Sequence, residues 1–199
     1  MFVGYIKNEK ATRETIDHEG YVHSGDLGYL DEDGFLVITG RLKELIITAG
    51  GENVAPLPIE HKFLELCPIA GQIMVIGDDR KFLSCLITFR TQMSGPQAQP
   101  TTELTPEAKE FIKTNIGSNV KDSEEACKDS AVLTFIQKII DETNTFSISK
   151  AAYVRKFKLL PLEFSIAGGE MTPTMKMKRK FVEKKYTSEI EEMYENAKI

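Results

Sequence analysis

Two short apolar segments, Gln72–Ile76 and Phe82–Phe89, joined by the polar turn Gly77–Lys81, constrain this chain more than any other feature. They are its best strand candidates. The segments that flank them have a different period. Upstream, Leu57–Leu66 sets Ile59, Phe63 and Leu66 at helical spacing, with Pro68 as a stop. Downstream, Val132, Phe135, Ile136, Ile139 and Ile140 make the apolar stripe of a longer helix, expected to begin near Asp122 or Ser123. Thr105-Pro106-Glu107 reads as a helix start, with Thr as N-cap and Pro at the first helical position. This mixture predicts an α+β fold.

The remaining segments are shorter. Leu27–Leu30 and Phe35–Thr39 flank Asp31-Glu32-Asp33-Gly34, which reads as a β-hairpin within a region of turns and short strands. Leu45–Thr48 is a β-branched stretch ended by Gly50-Gly51. Residues 91–103 hold few large apolar side chains and several turn formers, so a mobile surface loop is expected over 91–104. Ser149–Tyr153 suits a helical turn, and Val154–Leu160 alternates like a strand. From Lys180 to Ala197, Phe181, Tyr186, Ile190 and Met193 mark one amphipathic final helix.

Composition excludes several classes. With 199 residues the length suits one domain, or one domain with part of another. No apolar run approaches the roughly 18–20 residues of a membrane span, and the first ten residues lack a secretory core. Cys67, Cys85 and Cys127 are scattered without a CxxC, which argues against disulfide frameworks and zinc knuckles. A net charge of −5 argues against general nucleic-acid binding. A soluble protein of the cytoplasmic side is expected.

Three features could carry chemistry. Asp26, in His23-Ser24-Gly25-Asp26, stands at a strand entrance, where a carboxylate can accept bonds from the vicinal hydroxyls of a ribose. It could equally be a turn Asp bonding its own backbone. Arg41 offers a rigid donor fork for phosphate or ribose oxygens, and Gly50-Gly51 would let a ligand come close to the backbone. The plainer reading is a strand connection with solvated charges. Thr172–Lys180 concentrates positive charge in an acidic chain. Such a run is ordinarily a solvated face, yet this one begins in a Thr/Pro turn that could project a lysine into a cleft, there to neutralise a transferring phosphoryl group. The absences also count. There is no P-loop, no GxGxxG, no nucleophile elbow and no convincing metal-binding pair among His18, His23 and His61.

In order along the chain, YVHSGDLGYLDEDGFLVITGRLKELIITAGGENVAP and GGEMTPTMKMKRKFV resemble two motifs of the adenylate-forming superfamily, which includes acyl-CoA synthetases, firefly luciferase and peptide-synthetase adenylation domains. The Gly-Glu-Asn-Val loop and Thr-Pro-Thr-Met-Lys are most similar to the bubblegum-type long-chain fatty acyl-CoA synthetases. The resemblance covers nearly the whole chain. It implies ATP-dependent adenylation of a fatty acid, then thioester formation with CoA, carried out as a small C-terminal lid domain takes two orientations on a large N-terminal one. It further implies that Asp26 binds the ribose hydroxyls and Arg41 ribose or phosphate oxygens. Lys43 would be the hinge, and Lys176 the catalytic lysine between carboxylate and α-phosphate. Gly50, Gly51, Glu52 and Asn53 would face the CoA pantetheine channel.

Met175 departs from the superfamily pattern where a glycine commonly precedes the lysine, and Ile47 departs where many members carry a lysine. Between Lys176 and Lys178, the first lies three residues before Arg179, matching the motif. The phosphate loop, adenine pocket and fatty-acid tunnel of the family have no counterpart here. The resemblance therefore implies that residues 1–42 end the N-terminal domain and 43–199 form the lid. It also implies that the Mg2+ expected with ATP finds its ligands outside this fragment, and that the isolated chain is inactive. The missing N-terminal domain would be its main partner, and peripheral membrane association is compatible with the family. Two readings compete: a stand-alone docking or regulatory module, and a nucleic-acid or membrane-surface binder using residues 176–185.

Overall fold

Asp31 clasps the first hairpin. Its Oδ1 accepts the N–H groups of Asp33 at 3.1 Å and Phe35 at 2.8 Å, and Gly34 closes the turn with a φ of +84°. In the computed structural model, which describes residues 2–96 and 98–195, this turn joins antiparallel β1 (Asp26–Leu30) and β2 (Leu36–Arg41). Before them lies α1 (Glu9–Thr15), a helix where only turns and strands are expected from sequence; Asn8 caps it by accepting the Ala11 N–H at 3.1 Å. The chain divides into two compact units between Leu45 and Ile46. The sequence reading divides it after residue 42. The short 3-10 turn Leu42–Glu44 stays with the first unit, since the Leu42 N–H donates to the Gly25 carbonyl at 2.8 Å.

The second unit opens with the small antiparallel pair β3 (Ile46–Ile47) and β4 (Asn53–Val54), followed by α2 (Pro56–Leu66) with its proline in the first turn. Then come β5 (Ala70–Ile76) and β6 (Leu83–Phe89), the two strands that the apolar runs predict. Residues 91–104 are not the expected loop. They pair as β7 (Thr91–Ser94) and β8 (Gln99–Leu104), from Thr91 opposite Leu104 to Ser94 opposite Gln99, with a register shift between Thr91 and Met93. What stabilises this hairpin is non-local. The Thr91 N–H donates to Glu163 Oε2 at 3.0 Å, and Leu104 is buried.

Thr105 caps α3 (Pro106–Phe111) as expected, its Oγ1 accepting the Ala108 N–H at 3.3 Å. The single helix expected from Asp122 is two. α4 (Ser123–Ala126) is capped by Asp122, and α5 (Ser130–Thr145) by Asp129, each a new helix start. β9 (Val154–Leu160) follows. The expected final helix also breaks, at Tyr186, into α6 (Arg179–Lys185) and α7 (Thr187–Glu195); its expected end at Ala197 lies outside the described residues.

Strand β6 is central, antiparallel to β5 and parallel to β9, and all seven of its residues are buried. Alternation along the strand sends Leu83, Cys85, Ile87 and Phe89 to one face, against Phe63 of α2 and Ile136 and Ile140 of α5. Leu86 faces the other way, among Met74, Phe164, Val182 and Ile190. Being covered on both faces is why this segment is an unbroken apolar run rather than an alternating one.

Candidate functional site

The hairpin register sets Asp26 opposite Arg41, and Arg41 Nε lies 3.2 Å from Asp26 Oδ1. Both side chains are partly exposed. The local turn bond belongs to the neighbour, since Ser24 Oγ accepts the Asp26 N–H at 3.1 Å. The Asp26 carboxylate is thus directed at a guanidinium, which leaves acceptor and donor side by side at the open end of the hairpin. Such a pair can take a diol and an anionic oxygen together. Lys43 is exposed within the turn Leu42–Glu44.

Gly50, Gly51 and Glu52 come together in the β3–β4 turn, and Asn53 follows as the first residue of β4. Gly51 takes a φ of +79°, its N–H donates to the Thr48 carbonyl at 2.8 Å, and the Glu52 N–H donates to Thr48 Oγ1 at 3.2 Å. The turn is docked on the β5–β6 connection. Ile47 N–H donates to Asp78 Oδ1 at 3.0 Å, and Ala49 N–H to the Arg80 carbonyl at 2.9 Å.

Lys176 is exposed on a closed loop of the second unit. A bridge between Met171 and Met177 pinches the loop's base. Inside it, Thr172 N–H donates to the Lys176 carbonyl at 2.8 Å, Met175 N–H to the Thr172 carbonyl at 2.8 Å, and Lys176 N–H to Thr172 Oγ1 at 3.0 Å. Met175 takes a φ of +58°, the left-handed conformation that favours glycine. The departure seen in the sequence is therefore one of residue type, while the backbone keeps the shape that a glycine would adopt. Lys178 differs from Lys176, with its ammonium 5.4 Å from the centre of the Phe181 ring.

Two buried carboxylates hold this loop, and the sequence flags neither as a site. After the loop, Arg179 pairs through Nη2 with Glu60 Oε2; Glu60 belongs to α2 and is 4% exposed. Glu60 Oε1 accepts the Val75 N–H at 2.7 Å, and Arg179 Nη1 donates to the Val75 carbonyl at 3.5 Å, so the pair engages both backbone groups of one residue of β5. Before the loop, Glu170 is 2% exposed and its carboxylate accepts from Lys185, from the Tyr186 hydroxyl at 3.2 Å and from Ser165 N–H at 3.3 Å. Its carbonyl accepts the Lys178 N–H at 2.8 Å. Burial opposes the charge on Glu170, but the bonds from Lys185 and the backbone outweigh it and hold the carboxyl below its ordinary range. Gly168 is required here, because a Cβ would stand 2.1 Å from Glu170 Oε2. A signal for Glu60 did exist: it lies four residues after Pro56 and three before Phe63, on the apolar face of its helix.

Other candidates are weak. Burial pushes the Cys67 thiol up to about 12 and the Cys127 thiol up to about 11, and it raises Cys85 as well, so these are poor nucleophiles at neutral pH. His23 Nε2 lies 3.0 Å from Asp17 Oδ2 in an exposed pair, and His61 is exposed on α2. Among the described residues, no group of three His, Cys, Asp or Glu side chains could hold a metal, and no helix is long and apolar enough to cross a membrane. A cleft lined by Val3, Tyr5, Ile6, Thr12 and Arg13 in the first unit includes none of the nominated residues.

The second unit is a small α+β domain that carries an exposed lysine on a pinned loop and a glycine turn. The model of the AMP-binding enzyme C-terminal domain matches residues 43–116 and 115–198, and the chain belongs to this family. The long-chain-fatty-acid–CoA ligase ACSBG2 of Gallus gallus is 45% identical over 199 residues, 99% of this chain and 26% of that protein. ACSBG1 of Rattus norvegicus, also named a long-chain-fatty-acid–CoA ligase, is 46% identical over 200 residues, 100% of this chain and 28% of its own length. The chain thus spans between 26% and 28% of these relatives. Among solved structures, the A domain of carboxylic acid reductase from Segniliparus rugosus, in complex with AMP and a co-purified carboxylic acid, is similar. It is 25% identical with a TM-score of 0.65, over 98% of this chain and 26% of that one. The adenylation domain of a carboxylate reductase from Mycobacterium chelonae shares the fold, with a TM-score of 0.68 at 22% identity, over 98% of this chain and 26% of that one.

Proposed function

We propose that this chain is the C-terminal part of a long-chain fatty acid–CoA ligase, contributing the hinge, the lid and the lysine that drives adenylation. The observation that carries this is the Lys176 loop. An exposed lysine stands on a loop closed by its own hydrogen bonds, on a family domain whose curated relatives are named as such ligases. In the adenylation step a fatty-acid carboxylate attacks the α-phosphate of ATP and pyrophosphate leaves. Lys176 bridges the carboxylate and the phosphoryl oxygens, offsetting the negative charge that builds between them. Its compact charge suits that work. Lys178 is the weaker candidate, since its ammonium lies near the Phe181 ring.

Asp26 receives the ribose hydroxyls, with Arg41 beside it for an anionic oxygen. Lys43 absorbs the backbone rotation that follows. The turn Gly50–Asn53 then lines the path of the CoA pantetheine, whose thiol displaces AMP from the acyl-adenylate. Among the described residues no group of three His, Cys, Asp or Glu side chains could cage Mg2+, and the sequence holds no glycine-rich phosphate loop. Alone, therefore, the chain supplies half of an electrostatic clamp and no acyl pocket.

The exposed apolar side chains of the first unit support a large-domain partner. Phe35 is 71% exposed and Leu36 66%, a patch that suits burial against further protein. Mixing tests the proposal. The chain alone should give no acyl-CoA from ATP, palmitate and CoA. Adding the separately produced N-terminal portion of an ACSBG-type ligase should restore turnover. Two folded portions that bind each other without turnover would instead support the non-catalytic docking module.

A further inference from the structure

We infer that Glu60, through its buried pair with Arg179, is a positioning residue for Lys176, fixing where the lysine loop sits on the sheet. The inference rests on the proposed role of Lys176. Three features of the geometry carry it. Arg179 follows Lys176 by three residues, so it pins the loop's outgoing end. Glu60 is 4% exposed, while the only acidic residue within the motif's basic run, Glu183, lies on α6 itself. The pair also engages both backbone groups of Val75, with Glu60 Oε1 on its N–H and Arg179 Nη1 on its carbonyl.

A carboxylate so placed does more than fill space. A buried helix position among Pro56, Ile59 and Phe63 would ordinarily be apolar. A charge there is costly to desolvate, and one surviving in this place points to a geometric task rather than to stability. The task visible here is registration. Without the pair, α6 could slide or turn about its apolar contact at Val182, and the loop that α6 continues would move with it. Glu170 pins the incoming end, through its carbonyl on Lys178 and its side chain on Lys185 and Tyr186. The loop is then held at two points, and Lys176 projects between them. Small displacements of a catalytic group carry large rate penalties.

Glu60→Gln is the discriminating variant. The amide oxygen can keep the Val75 N–H bond, whereas the amide nitrogen presents a donor to the Arg179 donor. Two readouts separate the possible failures. The first is hydrogen exchange on the 199-residue chain. The Lys176 and Lys178 amides should exchange at least about tenfold faster in Glu60→Gln, while the amides of β6 keep their protection. Faster exchange everywhere would show a merely structural residue and overturn the inference, as would no change in the loop. The second readout uses the mixed, reconstituted ligase. Adenylation should fall about tenfold, and thioester formation from supplied acyl-adenylate should stay within about twofold. Lys176→Ala runs beside it. Lost adenylation in Lys176→Ala with none in Glu60→Gln overturns the positioning role alone. Unchanged adenylation in Lys176→Ala overturns the reading beneath it. If Glu60→Gln does not fold, Arg179→Lys, which keeps the charge and loses the second donor nitrogen of the guanidinium fork, goes through both assays with the same expected pattern.

Discussion

The two units treat their apolar residues in opposite ways. In the second, the sheet is covered on both faces, and Phe63, Leu86, Phe89 and Phe164 are each at most 1% exposed. In the first, no large apolar side chain among the described residues is buried; Tyr29, Leu30, Phe35, Leu36 and Ile38 are all more than half exposed. Both hold regular hydrogen-bonded elements, so backbone pairing does not separate them. The difference teaches that a hairpin can be fully specified by local turn chemistry, here the Asp31 clasp, and still lack a core of its own. The second unit has what an independent fold needs.

Substitutions should reveal that contrast in order of size. Arg179→Ala leaves the Glu60 carboxylate buried without its partner, and urea unfolding of the chain should record a loss of about 3–5 kcal/mol. Leu86→Ala, on the fully buried face of β6, should cost roughly 2–5 kcal/mol in the same assay. A loss under about 1 kcal/mol in both would break the claim that the second unit carries the stability.

The acid limb sharpens the picture within that unit. The Glu170 carboxyl lies below its ordinary value of 4.5 in the folded chain, so the unfolded chain takes up the proton first. The stability it adds is complete above that value and drains away as pH falls through the depressed folded value. Thermal unfolding of wild type and Glu170→Gln should therefore differ most near neutrality and converge on acidification. A gap that is constant with pH would contradict this.

Met175→Gly should raise stability by about 0.5–1 kcal/mol, because it relieves a left-handed non-glycine residue at some cost in chain entropy. The smallest effect belongs to the first unit. Phe35→Ser and Leu36→Ser should change the unfolding of this chain by no more than about 0.5 kcal/mol. Yet they should weaken its binding to the N-terminal portion of an ACSBG-type ligase, measured by calorimetry. A large stability loss would show that the hairpin does have a core.

What the sequence made legible follows the range of the interactions responsible. The Thr105-Pro106 helix start, the Asp31–Gly34 turn and the β5 and β6 runs are local signals, and each appears where expected. The β7–β8 hairpin was hidden because Gly95, Pro96 and Pro100 look like loop, while its anchor, Glu163, lies far along the chain. The break between α4 and α5 was hidden because Asp122 offered a sufficient cap, and Asp129, a second one, fell inside the expected helix. At the site, the Asp26–Arg41 pairing follows from hairpin register, and the lysine loop follows from its motif. Glu60 and Glu170 are different. Their partners come from distant segments, and a glutamate on an amphipathic helix or beside two glycines looks solvated until the fold closes over it.

Lys176 carries the central claim, and the two half-reactions test it most directly. In the reconstituted ligase, Lys176→Ala should lower ATP–pyrophosphate exchange with palmitate by at least about a hundredfold, while CoA thioester formation from supplied palmitoyl-adenylate stays within about threefold of wild type. Equal loss in both steps, or exchange that survives intact, would contradict the account.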